Sequence, residues 1–332
     1  MSNRQHNVQH FVRKGRISSM QKLTIVIPAY NEQEVLKDTV PRLWSIEREV
    51  VTQNFLSEDS DILIVDDGSS DNTWSIIESF HKQHSKIRGL RFSRNFGHQA
   101  ALIAGLTEAI KTTNMTITID ADLQDDPEKI MEMVQAYSAG ADIVYGVRTH
   151  RETDSWFKRT TAQGYYKLLR LLGVQMVPNH ADFRLMSKRA VQTLLTYPER
   201  NMFIRGLIPK LGFQTVKVYY KRTPRLAGES KYPLKKMLAF AWDGITSLTI
   251  APVRLIILLG TLAVMLAFGM SVYSIIVKVL GLTVHGWSSL MVSLWFLGGL
   301  QMMSLGVIGE YIGKMMTEVK GRPRYTIQTR LD

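Results

Sequence analysis

Two long stretches of the chain, Leu255 to Val277 and Gly286 to Gly309, contain no charged residue. Each is long enough to cross a hydrocarbon core of about 30 Å as a helix. A run of Leu, Ile, Val, Met and Gly without polar partners satisfies its backbone in lipid only as a helix. The chain is therefore expected to carry a helical hairpin at 253–312, with spans at about 255–278 and 287–310. A buried hairpin in a soluble core is the alternative, but two such runs side by side favour a membrane. Lys235, Lys236 and Arg254 precede the first run, and Lys314, Lys320, Arg322, Arg324 and Arg330 follow the second. The connection from Lys278 to His285 holds a single lysine. Basic flanks stay on the cytoplasmic side. The hairpin thus enters and leaves there, and the large N-terminal part and both termini lie there too. Just upstream, Leu234, Met237, Leu238, Ala241, Ile245 and Leu248 share one helical face. This predicts an amphipathic helix over 229–252, lying in the membrane interface or packed on the soluble part.

The formal net charge is +12. Attraction of a basic surface to anionic lipid accounts for it. No basic repeat or nucleic-acid-binding motif accompanies it, so nucleic acid is not an expected partner. With 0 cysteines, disulfides, thiolate metal sites and thiol nucleophiles are closed. Residues 1–20 are polar and basic without an apolar core, which predicts a flexible tail rather than a secretory signal.

From residue 21 the pattern changes. Strand-like runs at 22–28, 61–69, 87–93, 115–122 and 141–148 alternate with helical patterns at 32–47, 72–83, 96–111 and 127–140. Such alternation predicts an α/β fold with an open, mainly parallel sheet covered on both faces. Ligands of such sheets bind beyond the carboxyl ends of the strands. Polar clusters fall there three times: Pro28 to Glu32, Asp66 to Ser69, and Asp120 to Asp126. One site at one sheet edge is implied. No GxGxxG follows the first strand and no GxxxxGK[ST] occurs, which demotes dinucleotide and P-loop readings.

The segments IVIPAYNE, VDDGSSDNT, DADLQDDPE and DFRLMSKRA resemble the motifs of inverting, family-two glycosyltransferases with the GT-A fold, Rossmann-like in its sheet. RLAGESKY and the paired apolar helices narrow the likeness to polyprenyl-phosphate glycosyltransferases, such as the bacterial enzymes that load a sugar onto undecaprenyl phosphate and dolichol-phosphate mannose synthase. The resemblance spans roughly residues 21 to 325. It implies a GT-A domain over 21–228, a nucleotide-sugar donor carrying uridine diphosphate with glucose or N-acetylglucosamine as the leading sugars, a polyprenyl phosphate acceptor, Mg2+ or Mn2+, the bacterial cytoplasmic membrane, and a homo-oligomer, with a tetramer suggested by the resemblance. By the same resemblance Pro28, Tyr30 and Glu32, with Asp66 or Asp67, hold the nucleoside. Asp120 and Asp122 form the DxD and, with Gln124, the metal site. Arg148 and Arg184 face phosphates. Arg225, Ser230 and Lys231 meet the lipid phosphate. Asp125 acts as a base or orients the acceptor.

Elementary chemistry agrees. Mg2+ commonly takes one or two carboxylates plus substrate phosphates, and it neutralises a departing diphosphate. Arginine adds bidentate contacts to phosphate oxygens. A phosphate nucleophile is already anionic, since its second pKa is near 6, which weakens the need for a base. Plainer roles stand beside these. Asp66 to Ser69 also suits a turn and helix cap. Asp126, Pro127 and Glu128 suit a helix start. Arg200 or Arg205 lies near the acceptor or on a helix surface. His98 and His180 lack a second spaced histidine and are set aside as ligands. Tyr325, Ile327 and Thr329 alternate, which predicts that the tail (313–332) returns as a short strand on the soluble domain. A processive polysaccharide synthase is the enzymatic alternative, but no Q-x-x-R-W motif is present; a non-catalytic nucleotide-sugar-binding subunit is the other.

Overall fold

A computed structural model describes residues 20–149, 180–200, 203–221, 246, 251–280 and 286–332. The residues before Met20, the segment carrying Arg225, Ser230 and Lys231, and nearly all of the expected interfacial helix lie outside the described residues. The chain divides into two compact units. One holds the sheet together with the C-terminal segment Pro323–Asp332; the other holds the apolar helices.

In the first unit, β1 (Leu23–Ala29), β2 (Asp61–Asp66), β3 (Ile87–Phe92), β4 (Met115–Thr118) and β5 (Ile143–Arg148) coincide with the five strand-like runs. Between them come α1 (Leu36–Thr52), α2 (Thr73–Gln83), α3 (His98–Ala109) and α4 (Ile130–Ser138). β1 and β2 are buried along their whole length. That explains their unbroken Ile, Leu and Val content, because a parallel strand covered on both faces has no solvent side.

Two strands were not foreseen. β6 (His180–Ser187) and β7 (Thr215–Tyr220) extend the sheet, and α5 (Lys188–Leu195) and the short α6 (Ile204–Leu207) lie between them. The strand order is β7-β5-β6-β4-β1-β2-β3-β8. β1 pairs in parallel with β2 and β4, β2 with β3, and β5 with β7. β6 runs antiparallel between β4 and β5. Its DFRLM run is one of the motifs that carry the family resemblance, but a strand that reverses direction has no signature in local periodicity. The reversal brings the start of β6 to the edge where β4 and β5 end. The expected tail strand exists: β8 (Ile327–Leu331) pairs antiparallel with β3, and Tyr325 stacks on Phe92 with ring centroids 5.2 Å apart.

α3 packs across β1 and β2, which carries its first residue, His98, back to the edge where β1 and β4 end. Gly105 makes this approach possible. A Cβ there would lie 2.3 Å from Cγ1 of Val26, so any larger residue forces the helix off the sheet.

In the second unit, α7 (Ala251–Val279) and α8 (Trp287–Val319) cover the two charge-free runs. By length and composition Pro252–Met270 is able to cross a membrane, and none of that stretch is buried. Leu255, Ile257, Leu266 and Phe268 on α7 and Leu294, Phe296 and Met302 on α8 are exposed. Apolar surface of that extent marks a protein or lipid contact.

Candidate active site at the carboxyl edge of the sheet

The loops after β1, β2 and β4 are laced together. Asn31 donates its backbone N–H to Oγ of Ser69 at 2.9 Å, and Glu32 donates to Oγ1 of Thr73 at 2.9 Å. Oδ1 of Asn31 in turn accepts from the N–H of Ser70 at 2.9 Å. Thr39 of α1 donates its hydroxyl to the carbonyl of Ala121 at 2.6 Å, which ties the DxD loop to the β1 side. Pro28 ends within β1, and Tyr30 just beyond it is 43% exposed, open to a ligand.

Asp66 and Asp67, expected beside the nucleoside, are buried and organise the loops. Asp66 accepts from the N–H of Ser69 at 3.0 Å. Asp67 accepts from the N–H groups of Phe96 at 2.7 Å and Gly97 at 2.9 Å, the residues just before α3. Burial pushes both carboxyls up, against those hydrogen bonds. Gly68 has φ +66, and a Cβ on it would sit 2.3 Å from the carbonyl carbon of Arg94. Only glycine lets the β2 loop lie against the segment that leads to His98.

β4 ends at Thr118, so Asp120 and Asp122 stand in the loop beyond it. Leu123 adopts a left-handed φ of 49, and Oδ1 of Asp122 accepts the N–H of Gln124 at 3.2 Å. Asp126 caps the 3-10 turn Pro127–Lys129 and accepts from the N–H of Glu128, as the helix-start reading expected. Asp125 is buried and takes part in a different arrangement. Its Oδ1 accepts from Nε of Arg148 at 3.0 Å, from Nη2 of Arg148 at 2.8 Å and from the Tyr220 hydroxyl at 2.5 Å. Arg148 is thereby committed to a carboxylate.

Asp182, which the sequence did not single out, is the hub of the site. It is buried at 1% exposure. It is bonded to Arg184, to Arg205 through Nη2 at 2.6 Å and to Nε2 of His98 at 3.2 Å. Arg184 lies wholly inside, and its Nη1 finds no partner among the described residues. Burial alone would raise the Asp182 carboxyl; the Arg205 and Arg184 guanidiniums outweigh it and hold the group well below the usual range. The one sign of Asp182 in the sequence was a carboxylate beside an arginine at the start of a strand.

His98 Nε2 also lies 3.8 Å from Oδ1 of Asp120. Ligand atoms of His98, Asp120 and Asp182 all fall within 4.8 Å of one another. Two carboxylates and one histidine are able to form a three-atom set without a second histidine. Partial loss of hydration lowers the His98 pKa, but its bond to Asp182 and the charges of Asp120 and Asp182 raise it on balance. Asp120 is pushed up to about 6 by burial and by the carboxylates of Asp182, Asp125 and Asp122, with His98 opposing. Asp125 and Asp182 already have guanidinium partners. Among the described residues Asp120 has only an imidazole, and this surplus of oxygen donors and negative charge fits a hard divalent cation.

A family model for glycosyl transferase family 2 matches residues 24–195, from β1 to the end of α5. The chain belongs to this family. It is an enzyme of the glycosyltransferase class, and its mostly parallel α/β unit is of the GT-A type. Similar proteins include the glycosyltransferase YkoT of Bacillus subtilis (strain 168), 49% identical over 93% of this chain and 92% of that one. The glycosyltransferase sll0501 of a Synechocystis strain is 40% identical over 92% of this chain and 94% of that one. The bactoprenol glucosyl transferase of Shigella phage SfX is 39% identical over 93% of this chain and 99% of that one.

Proposed function

We propose that this glycosyltransferase moves one glucose from UDP-glucose onto the phosphate of a polyprenyl phosphate at the cytoplasmic face of a membrane. The observation that carries the proposal is the carboxylate edge around Asp120, in a chain 39% identical to a bactoprenol glucosyl transferase along nearly its whole length. The exposed apolar helices α7 and α8 supply the hairpin that holds the enzyme where its lipid substrate resides.

Tyr30 and Glu32, at the end of β1, take the nucleoside. Asp120, Asp122 and Gln124 would hold Mg2+ or Mn2+, with His98 within reach of Asp120. A cation there would supply positive charge to offset the departing diphosphate. Arg184 offers its unpartnered Nη1 to a phosphate oxygen. The lipid phosphate oxygen attacks the anomeric carbon in line and the bond to the nucleoside diphosphate breaks. This single displacement inverts the centre. No proton has to be removed from the nucleophile, because a phosphomonoester is largely dianionic at neutral pH.

The test is transfer by the full chain in nanodiscs, with undecaprenyl phosphate and a panel of labelled UDP-glucose, UDP-N-acetylglucosamine and GDP-mannose. One glucose per lipid is expected, lost on chelation and restored by Mg2+ or Mn2+. Sugar chains, a different preferred sugar, or full activity in excess chelator would each overturn the corresponding part.

A further inference from the structure

Asp125 has two oxygens in different circumstances. Oδ1 accepts three hydrogen bonds, two from Arg148 and one from the Tyr220 hydroxyl. Oδ2 is buried and has no hydrogen-bond partner among the described residues. A buried carboxylate oxygen without a donor is costly, and such an orphan calls for an explanation. The clamp that creates it is built into the sheet. Arg148 and Tyr220 are opposite one another in the parallel pairing of β5 with β7. The Tyr220 carbonyl takes both the N–H of Thr149 at 2.9 Å and its hydroxyl at 3.0 Å, and the Tyr220 ring sits edge-on to Phe183. The phenol therefore has little freedom, and with Arg148 it fixes which way the Asp125 carboxylate faces.

We propose that Asp125 reads a hydroxyl of the transferred sugar through Oδ2, and that Tyr220 and Arg148 are positioning residues that hold it for this purpose. The inference rests on the proposed transfer and adds to it a residue that discriminates the sugar.

Three observations select this ligand. First, Oδ2 belongs to a guanidinium-paired carboxylate, so it needs a donor. The diphosphate and the lipid phosphate bring only acceptor oxygens and like charge. A neutral polyol brings donors. Second, Arg148 and the Tyr220 hydroxyl already fill Oδ1 with three hydrogen bonds, so Oδ2 is the oxygen left to accept one. Third, the sheet places it. Nucleoside-side residues end β1, the DxD follows β4, and β6, β5 and β7 continue in the same direction. Asp125 lies in the same loop as Asp120 and Asp122 yet is tied to β5 and β7 through Arg148 and Tyr220. The proposal therefore puts the sugar on this β5–β7 side, away from the β1 residues proposed for the nucleoside.

The test uses the full chain in nanodiscs with Mg2+, UDP-glucose, each of its 2-, 3-, 4- and 6-deoxy analogues, and UDP. Removing the hydroxyl that meets Oδ2 is expected to weaken kcat/KM of the unmutated enzyme by roughly 10–100-fold, the range for a hydrogen bond to a charged group. Asp125→Asn keeps a carbonyl for Arg148 and Tyr220 but turns an NH2 toward the hydroxyl. It is expected to lose a similar factor with UDP-glucose, to bind UDP as before, and to show no further loss with that same deoxy analogue. Tyr220→Phe is expected to reduce the discrimination at that position without moving the others. An Asp125→Asn enzyme that discriminates among the analogues as the unmutated one does overturns the proposal and leaves the transfer reading intact. If the variant does not fold, the unmutated enzyme still decides: no analogue weakened more than about threefold sinks the assignment, since a hydrogen bond to a charged group is worth more than that. Failure of the unmutated enzyme to transfer glucose at all overturns the transfer reading, and this inference with it.

Discussion

Replacing Asp182 by Asn removes one charge from the centre of the site and leaves its shape nearly unchanged. Arg184, Arg205 and His98 converge on that carboxylate. Arg184 is enclosed, with 2% of its side chain exposed, and Arg205 retains 31%. Breaking a buried ion pair from one side costs about 3–5 kcal/mol, because the partner charge is left without compensation. The enclosed Arg184 should feel most of that; the half-open Arg205 can be rescued by water and adds little. A loss of about 4 kcal/mol is expected. In a catalytic unit of this size that corresponds to roughly a 10 °C fall in Tm. Tryptophan fluorescence on heating the detergent-solubilised protein measures it, since Trp44 and Trp74 pack in the sheet unit. The double variant Asp182→Asn, Arg205→Gln should be less destabilised than the sum of the single changes, as expected for groups in one network. A Tm within about 2 °C of the parent would refute the ion-pair argument, being worth under about 1 kcal/mol. Strict additivity of the two changes would refute the network.

Gly68→Ala should disturb activity more than its size suggests. The added Cβ meets the Arg94 backbone at 2.3 Å in a left-handed conformation; at least a tenfold loss of transfer is expected, with Asp67 no longer seating the start of α3, and wild-type kinetics would contradict this. Asp142 should shape the acid limb of stability. The Arg189 guanidinium holds its carboxyl below the usual range, so its folded pKa lies below the unfolded value. Its contribution is then complete above about pH 4 and is lost as pH falls through the folded pKa. Asp142→Asn should lower Tm at pH 6 and make no difference at the acid extreme; an equal effect at both would contradict the assignment.

Much of the sheet unit was legible because its signals are local. The β-branched runs marked β1 to β5, and the Asp-Pro-Glu sequence marked the turn capped by Asp126. The alternation in the C-terminal tail marked β8, although the strand joins β3 across most of the length of the chain. The charge-free runs marked α7 and α8 by composition alone. The three polar clusters could be placed at one edge because parallel strands end on the same side.

Local patterning set which residue types stand at the ends of which strands, since hydrophobic period and turn chemistry are properties of neighbours along the chain. Which charges meet was decided by tertiary structure. β6 inserts antiparallel between β4 and β5, and this brings Asp182 to His98 and Arg205. The parallel pairing of β7 with β5 brings Tyr220 to Asp125 and gives Arg148 a carboxylate partner. A carboxylate in a sequence is only a charge. Its role here depends on burial and on the donors that close around it, and those come from strands far apart in the chain.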